Sequence, residues 1–137
     1  LDERLAADVR VVNMEGTNVK ELSGTSFDED IEFIGADLSF ISLKAVADVI
    51  SDLMGDNGCA VVLIKPQFDA GKKSLSKNGI VKDPKDHIRV INEVLSALSA
   101  VGIFDCGLSF SPIKGGSRNI EYLALLKKTL SEDCVDM

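Results

Sequence analysis

GCAVVLIKPQFDAG, residues Gly58–Gly71, decides the fold. Six apolar residues, Cys59 through Ile64, run without alternation into Lys65-Pro66. A short unbroken apolar run suits a strand buried on both faces of a parallel sheet. Pro66 has no N–H to give to a central ladder, so the strand is expected to end at Lys65. A lysine thus emerges at the carboxyl end of a buried strand, the edge where open α/β sheets hold their ligands. The plainer alternative is a lysine whose stem covers apolar surface while its ammonium reaches water.

Upstream, Gly55-Asp56-Asn57-Gly58 is a turn that closes a preceding helix. That helix has Ser42 as N-cap and an apolar face of Leu43, Val46, Ala47, Ile50 and Leu53–Met54. Before it, Ile31–Leu38 is a second buried strand with Asp37 near its end, reached by the polar connection Gly24–Asp30. Val9–Met14 (VRVVNM) is expected to be a strand ending in the turn-forming group Glu15-Gly16-Thr17-Asn18, and Leu1–Ala7 the end of a helix.

Downstream, Asp69–Lys82 is the longest irregular stretch, and such loops are usually functional or mobile. Asp83-Pro84 opens a helix with Ile88, Ile91, Val94, Leu95, Leu98 and Val101 as its apolar stripe, and Gly102 ends it. Ile103–Phe110 and Asn119–Leu126 are the last strands. The short Ser111–Arg118 link leaves no room for a helical crossover, so these two strands pair antiparallel. The order β, β, α, β, loop, α, β, β predicts a single three-layer α/β domain, its sheet mostly parallel with a terminal antiparallel pair.

At 137 residues, with 45% hydrophobic and 27% charged residues, the chain has the composition of an ordinary globular domain. It contains no apolar run long enough to span a bilayer and no signal-peptide pattern. The net charge of −7 argues against a surface uniformly suited to a polyanion. The charge is nevertheless uneven. Lys65, Lys72, Lys73, Lys77, Lys82, Lys85 and Arg89 cluster in one segment able to hold phosphates, whereas acids concentrate in Glu29–Glu32 and at the tail. Cys59, Cys106 and Cys134 show no metal-binding spacing. Reduced core thiols in a cytoplasmic protein are expected.

The topology makes a geometric claim. Asp37 and Lys65 end parallel strands, and Glu121 begins a strand running the other way, so all three converge on one sheet edge. Glu121 enters a buried strand and needs a partner, for which Lys65 is the expected candidate. A structural ion-pair network and a catalytic cluster both fit this arrangement.

Four strings carry a resemblance: ADLSFISL (Ala36–Leu43), IKPQFDAG (Ile64–Gly71), GIVKDPKDH (Gly79–His87) and SPIKGGSRNIEYL (Ser111–Leu123). In this order and spacing the chain resembles, from Val9 to Leu126, the TlyA/hemolysin A family of ribosomal-RNA 2′-O-methyltransferases related to FtsJ/RrmJ. The resemblance implies a Rossmann-like fold, S-adenosylmethionine as cofactor and a Lys-Asp-Lys-Glu catalytic tetrad. Its Asp, second Lys and Glu fall on Asp37, Lys65 and Glu121. Glu15 and Asn18 of the MEGTN turn are implied near the adenine, with Asp37 also on the cofactor side. Lys72, Lys73, Lys77 and Lys82 are implied to meet RNA phosphates.

The family's first tetrad lysine, its Gly-rich cofactor loop and its S4-like RNA-binding domain have no counterpart in these residues, which implies a partial catalytic domain. The partner implied is ribosomal RNA or a ribosomal subunit, and no membrane. A sheet without its first strands leaves an unpaired edge beside Val9–Met14, which invites self-association. In the implied reaction a ribose hydroxyl needs a base, and a desolvated lysine such as Lys65 can serve as one. Asp37 and Glu121 nearby favour its charged form, so a neutral Lys65 requires burial or the missing cationic lysine. The alternative is that the carboxylates orient Lys65 and offset the sulfonium charge. The rival readings are a non-catalytic RNA- or ribosome-binding module and a membrane-active hemolysin. Neither helix has the basic-faced pattern of a membrane-surface helix. His87, the only histidine, is expected to pack against a loop or lie at the surface rather than to act as a base, and Phe40 and Phe68 are expected beside a substrate base.

Overall fold

The central strand, β2 (Met54–Ile64), ends where Pro66 withdraws its N–H. In the computed structural model, which describes residues 1–115 and 118–128, β2 pairs in parallel with β1 (Ile31–Ala36). On its other side it pairs antiparallel with β4 (Tyr122–Lys127), which in turn pairs antiparallel with β3 (Phe104–Phe110). The sheet order is β1-β2-β4-β3, so the last strand inserts between its predecessors. The helical elements are α1 (Glu3–Ala6), α2 (Ala47–Leu53), α3 (Pro66–Asp69) and α4 (Pro84–Ala100).

Gly55–Gly58 does not form the expected turn ahead of β2 but lies within it. The register passes from Ile31↔Met54 to Phe33↔Cys59, so β2 advances five positions while β1 advances two. The turn-forming residues are absorbed as a bulge, and Gly58 permits it: a Cβ there would sit 2.8 Å from the Ile31 carbonyl oxygen. Past the bulge, burial alternates. Ala60, Val62 and Ile64 are sealed beneath the helices, whereas Cys59, Val61 and Leu63 are half-buried on the other face.

Among the described residues that alternation shows two of the three expected layers. Both crossovers, β1 to β2 through α2 and β2 to β3 through α4, step across the sheet in the same direction. Right-handed connections then place both helices on one face, and α2 does pack on α4. Among the described residues no helix covers the opposite face, where Phe33 and Leu125 are exposed.

Ser42 caps its segment as expected, its Oγ accepting from the Lys44 N–H, although the first turn is 3₁₀ (Leu43–Val46). In α4 the Asp83 cap and Pro84 also hold. The buried stripe is His87, Val90, Val94 and Leu98; Ile88, expected in it, faces solvent because it lies one residue off that line. Together with Leu43, Val46, Ile50, Met54, Ile103, Ala124 and Leu126, the apolar members of this stripe form the core.

Val9–Met14 is not a strand. Asp8 accepts from the Arg10 N–H, Asn13 accepts from the Glu15 N–H, and Val11 donates to the Asp8 carbonyl, so side-chain turns close both ends of the segment. Val9 is fully exposed and Val12 is 81% exposed. The outer sheet edge expected beside Val9–Met14 is therefore β1 itself. Cys59 is free and half-buried, and Cys106 lies half-buried in β3. Cys134 and Gly116 lie outside the described residues.

Candidate active site

β1 and β2 run parallel with Ala36 opposite Val62, and β4 starts with Tyr122 opposite Ile64. Asp37, Lys65 and Glu121 each lie one residue beyond these strand ends, so the sheet delivers all three to one edge, as the topology requires. Lys65 is 9% exposed and Glu121 7%. Lys65 Nζ forms an ion pair with Asp37, whose carboxylate is open to solvent, and donates to Ser39 Oγ at 3.3 Å.

The expected Lys65–Glu121 pair is absent. Gln67 Nε2 donates to Glu121 Oε1 at 2.7 Å instead. The reason is local: Pro66 starts α3 immediately, and that single turn brings Gln67 across to the start of β4. Gly115 completes the seat. A Cβ there would lie 1.9 Å from Glu121 Oε1, so any larger residue displaces the carboxylate. Ser39 and Gln67, each two residues beyond one of the expected site residues, carried no signal in the sequence analysis.

One aromatic ring lies beside the lysine and a second packs on the first. Phe68 lies 5.9 Å from Lys65 Nζ, and Phe40 is 5.2 Å from Phe68, centroid to centroid. Phe40 is 92% exposed and has φ 63°. Left-handed backbone costs a bulky L-residue about 1 kcal/mol or more, and exposure of the ring recovers none of it. Beside them Ser42 Oγ donates to Asp69, tying the start of the α2 segment to α3; burial pushes the Asp69 carboxyl above its ordinary range.

Residues 69–82 are organised rather than irregular, and form an arm. Lys72–Ser74 is a 3₁₀ turn, Leu75 bridges Val81 antiparallel, and Ser76–Gly79 closes tightly with Gly79 at φ 71°. Arg89 Nη2 holds the beginning of the arm through the Ala70 carbonyl (3.0 Å) and Ser74 Oγ (3.3 Å). Lys72, Lys73, Lys77 and Lys82 are all exposed, and none makes an ion pair among the described residues.

His87 is buried, as expected of a packing residue. The Val81 carbonyl can only accept, so His87 Nε2 carries the hydrogen (2.9 Å). Nδ1 then accepts from the Tyr122 hydroxyl (3.0 Å), whose pKa burial raises.

Glu15 and Asn18 are exposed, and their hydrogen bonds are local. Glu15 accepts from the Leu1 ammonium and from Asn13, and Asn18 caps a 3₁₀ turn through the Lys20 N–H. None of these three bonds joins them to the Asp37–Lys65 edge. A cavity of about 620 Å³ lies at the opposite end of β1 and β2, lined by Glu29, Asp30, Glu32, Asp52 and Asp56. The acidic and basic parts of the molecule thus occupy different ends of the sheet.

The family model described as FtsJ-like methyltransferase matches residues 1–128. YqxC of Bacillus subtilis, named as a candidate rRNA methyltransferase, is 44% identical over 121 residues, covering 88% of this chain and 43% of its own. The 16S/23S rRNA (cytidine-2′-O)-methyltransferase TlyA of Mycobacterium tuberculosis is 34% identical over 123 residues, covering 90% of this chain and 46% of its own. A crystal structure of a candidate hemolysin from Lactococcus lactis superposes with a TM-score of 0.87 at 37% identity, covering 96% of this chain and 65% of that one. The chain spans about half the length of the curated relatives it matches. On the matched length, and on a sheet edge that gathers Asp37, Lys65 and Glu121, the chain belongs to the FtsJ-like methyltransferase family.

Proposed function

We propose that this chain is the C-terminal part of the catalytic domain of a cytoplasmic methyltransferase acting on ribose 2′-hydroxyls of ribosomal RNA. The observation that carries the reading is Lys65, a buried lysine at the carboxyl end of the central strand, paired with Asp37 and flanked by Glu121. A hydroxyl is a poor nucleophile until a base takes its proton. Lys65 Nζ serves as that base in its neutral form, its ammonium proton having first left to solvent. It takes the hydroxyl proton as the oxygen attacks, and the ammonium so formed is the state that pairs with Asp37 and donates to Ser39 Oγ.

S-adenosylmethionine, when bound, supplies the methyl group. The chemistry of the edge fits its cationic end: Asp37 presents a solvent-open carboxylate there, and Glu121 a second one, seated by Gln67 and Gly115. Asp37 is the residue we assign to the cofactor side. Glu15 and Asn18 would reach the adenine only if the surface segment that carries them lies across it.

Phe40 and Phe68 offer π-faces to a base beside Lys65, which gives the strained Phe40 backbone a use. The lysines of the arm, Lys72, Lys73, Lys77 and Lys82, meet phosphates, while the acidic opposite end disfavours the reversed orientation. The partner is ribosomal RNA, free or in a subunit. Self-association would proceed through the outer edge of β1. Among the described residues no helix is long and apolar enough to cross a membrane.

The test uses the complete native protein with tritiated S-adenosylmethionine and unmodified ribosomal RNA or subunits. Lys65→Met is expected to lower kcat by about 100-fold or more while RNA affinity stays within about threefold. A Lys65→Met enzyme that methylates at the wild-type rate overturns the reading. Equal loss of rate and RNA affinity favours the non-catalytic binding module.

A further inference from the structure

Asn119 is 2% exposed and joins three parts of the molecule. Its Oδ1 accepts from the Val81 N–H at 3.1 Å, and its Nδ2 donates to the Gly79 carbonyl at 3.0 Å. An N–H and the carbonyl two residues earlier are the pair that a neighbouring strand would engage, so the carboxamide stands in for the N–H and carbonyl of one residue of a partner strand. Val81 is bridged to Leu75 on the arm's own side, and its carbonyl is held by His87 Nε2. The end of the arm is therefore fixed by a side chain from the β4 lead and another from α4.

The main chain of the same residue reaches the acid. The Asn119 carbonyl accepts from the Gly115 N–H at 3.0 Å, and Gly115 is the wall against which the Glu121 carboxylate sits. One buried residue thus sets both the phosphate-facing arm and the seat of Glu121.

We propose that Asn119 is a positioning residue for RNA: it fixes the arm so that Lys77 at the tip and Lys82 at the base approach phosphates in register with the Glu121 edge. This rests on the reading of the arm as an RNA contact. A flexible lysine run also binds RNA, but loosely and without orienting it; a run bonded at both ends has lost that freedom before RNA arrives. Lys82 follows Val81 directly, and Lys77 sits in the Ser76–Gly79 turn whose last residue Asn119 holds.

The test is a double-mutant cycle in the complete native protein, using filter binding to protein-free 16S and 23S ribosomal RNA across a salt series. Replacing both Lys77 and Lys82 by Ala is expected to weaken wild-type binding about tenfold at 0.1 M salt and to flatten the salt slope. In an Asn119→Ala background the same replacement is expected to cost less than about twofold, because lysines already out of register have little left to lose. The full tenfold loss in that background overturns the inference and leaves Asn119 a merely structural residue.

If Asn119→Ala does not fold, Asn119→Ser carries the cycle. Hydrogen exchange at Val81, expected to accelerate in either variant while Val62 stays protected, checks the arm without activity. Unchanged exchange at Val81 overturns the proposal. Wild-type binding that ignores the two lysines overturns the RNA reading of the arm itself, and this inference with it.

Discussion

Two stretches of this chain lack regular secondary structure for most of their length, residues 1–30 and the arm, residues 69–82, and they differ in what their backbone is bonded to. In the first, the side-chain bonds join near neighbours, Asp2 to Arg4, Asp8 to Arg10, Asn18 to Lys20. The longer reaches are Leu1 to Glu15 and Gly24 to Asp52. In the arm, groups from α4 and the β4 lead bond the backbone at Ala70, Gly79 and Val81, and Val81 itself is 3% exposed. Neighbour bonds choose a local conformation, and only Gly24, bonded to Asp52, and Val19, packed on the core, tie this stretch to the body of the molecule among the contacts named. Bonds from a packed core fix a segment in the frame of the molecule.

The sharpest way to break this contrast is to compare two valines. Val81→Ala removes two methyl groups from a closed site and is expected to cost about 2 kcal/mol, lowering Tm by several degrees. Val12→Ala, at 81% exposure, is expected to change stability by less than about 0.5 kcal/mol. Equal thermal shifts would mean that the N-terminal stretch is as well packed as the arm.

Arg89→Met tests the clamp at the beginning of the arm. Faster cleavage within residues 71–78 under limited proteolysis is expected, with a smaller Tm change than Val81→Ala, because Val81 and Asn119 still hold the end. Proteolysis that remains as slow as wild type would assign the order of the arm to its end alone.

A smaller effect concerns Asp69, at the root of the arm. Burial raises its native pKa above the ordinary 3.8, so the native state favours the protonated form. Stability from this group is fully present below the unfolded value and is lost as pH rises through the native one. Asp69→Asn keeps an acceptor for Ser42 and removes the titration. It is expected to match wild type near about pH 3 and to melt about 2 °C higher or less at neutral pH, since the group is partly solvated. A gap that widens toward acid would reverse the sign of the argument. Smallest of all, Asp8→Asn is expected to leave the melting curve unchanged, its partner Arg10 being exposed.

Much of the site was legible because it depends on where strands stop. Pro66 ends β2 whatever surrounds it, the short 111–118 link forces an antiparallel last pair, and these two facts bring Lys65 and Glu121 to one edge with Asp37. The partner of Glu121 was not legible. Charge alone selects Lys65, but the turn of α3 interposes Gln67, a choice made by backbone geometry. Val9–Met14 misled for a related reason: β-branched residues describe a willingness to pair, and here side-chain turns at Asp8 and Asn13 meet no competing strand. Phe40 carries no sequence sign of its left-handed backbone, since nothing in its neighbourhood requires glycine.

The sequence by itself determined the order of elements from Ile31 onward, the end of the central strand and the identity of the edge residues, because proline, chain length and apolar runs act locally. The tertiary structure decided which face the helices cover, which polar groups meet and which irregular segment is held. Those outcomes depend on the common direction of two crossovers and on side chains such as the buried Asn119 and the more exposed Arg89 reaching segments distant in the chain.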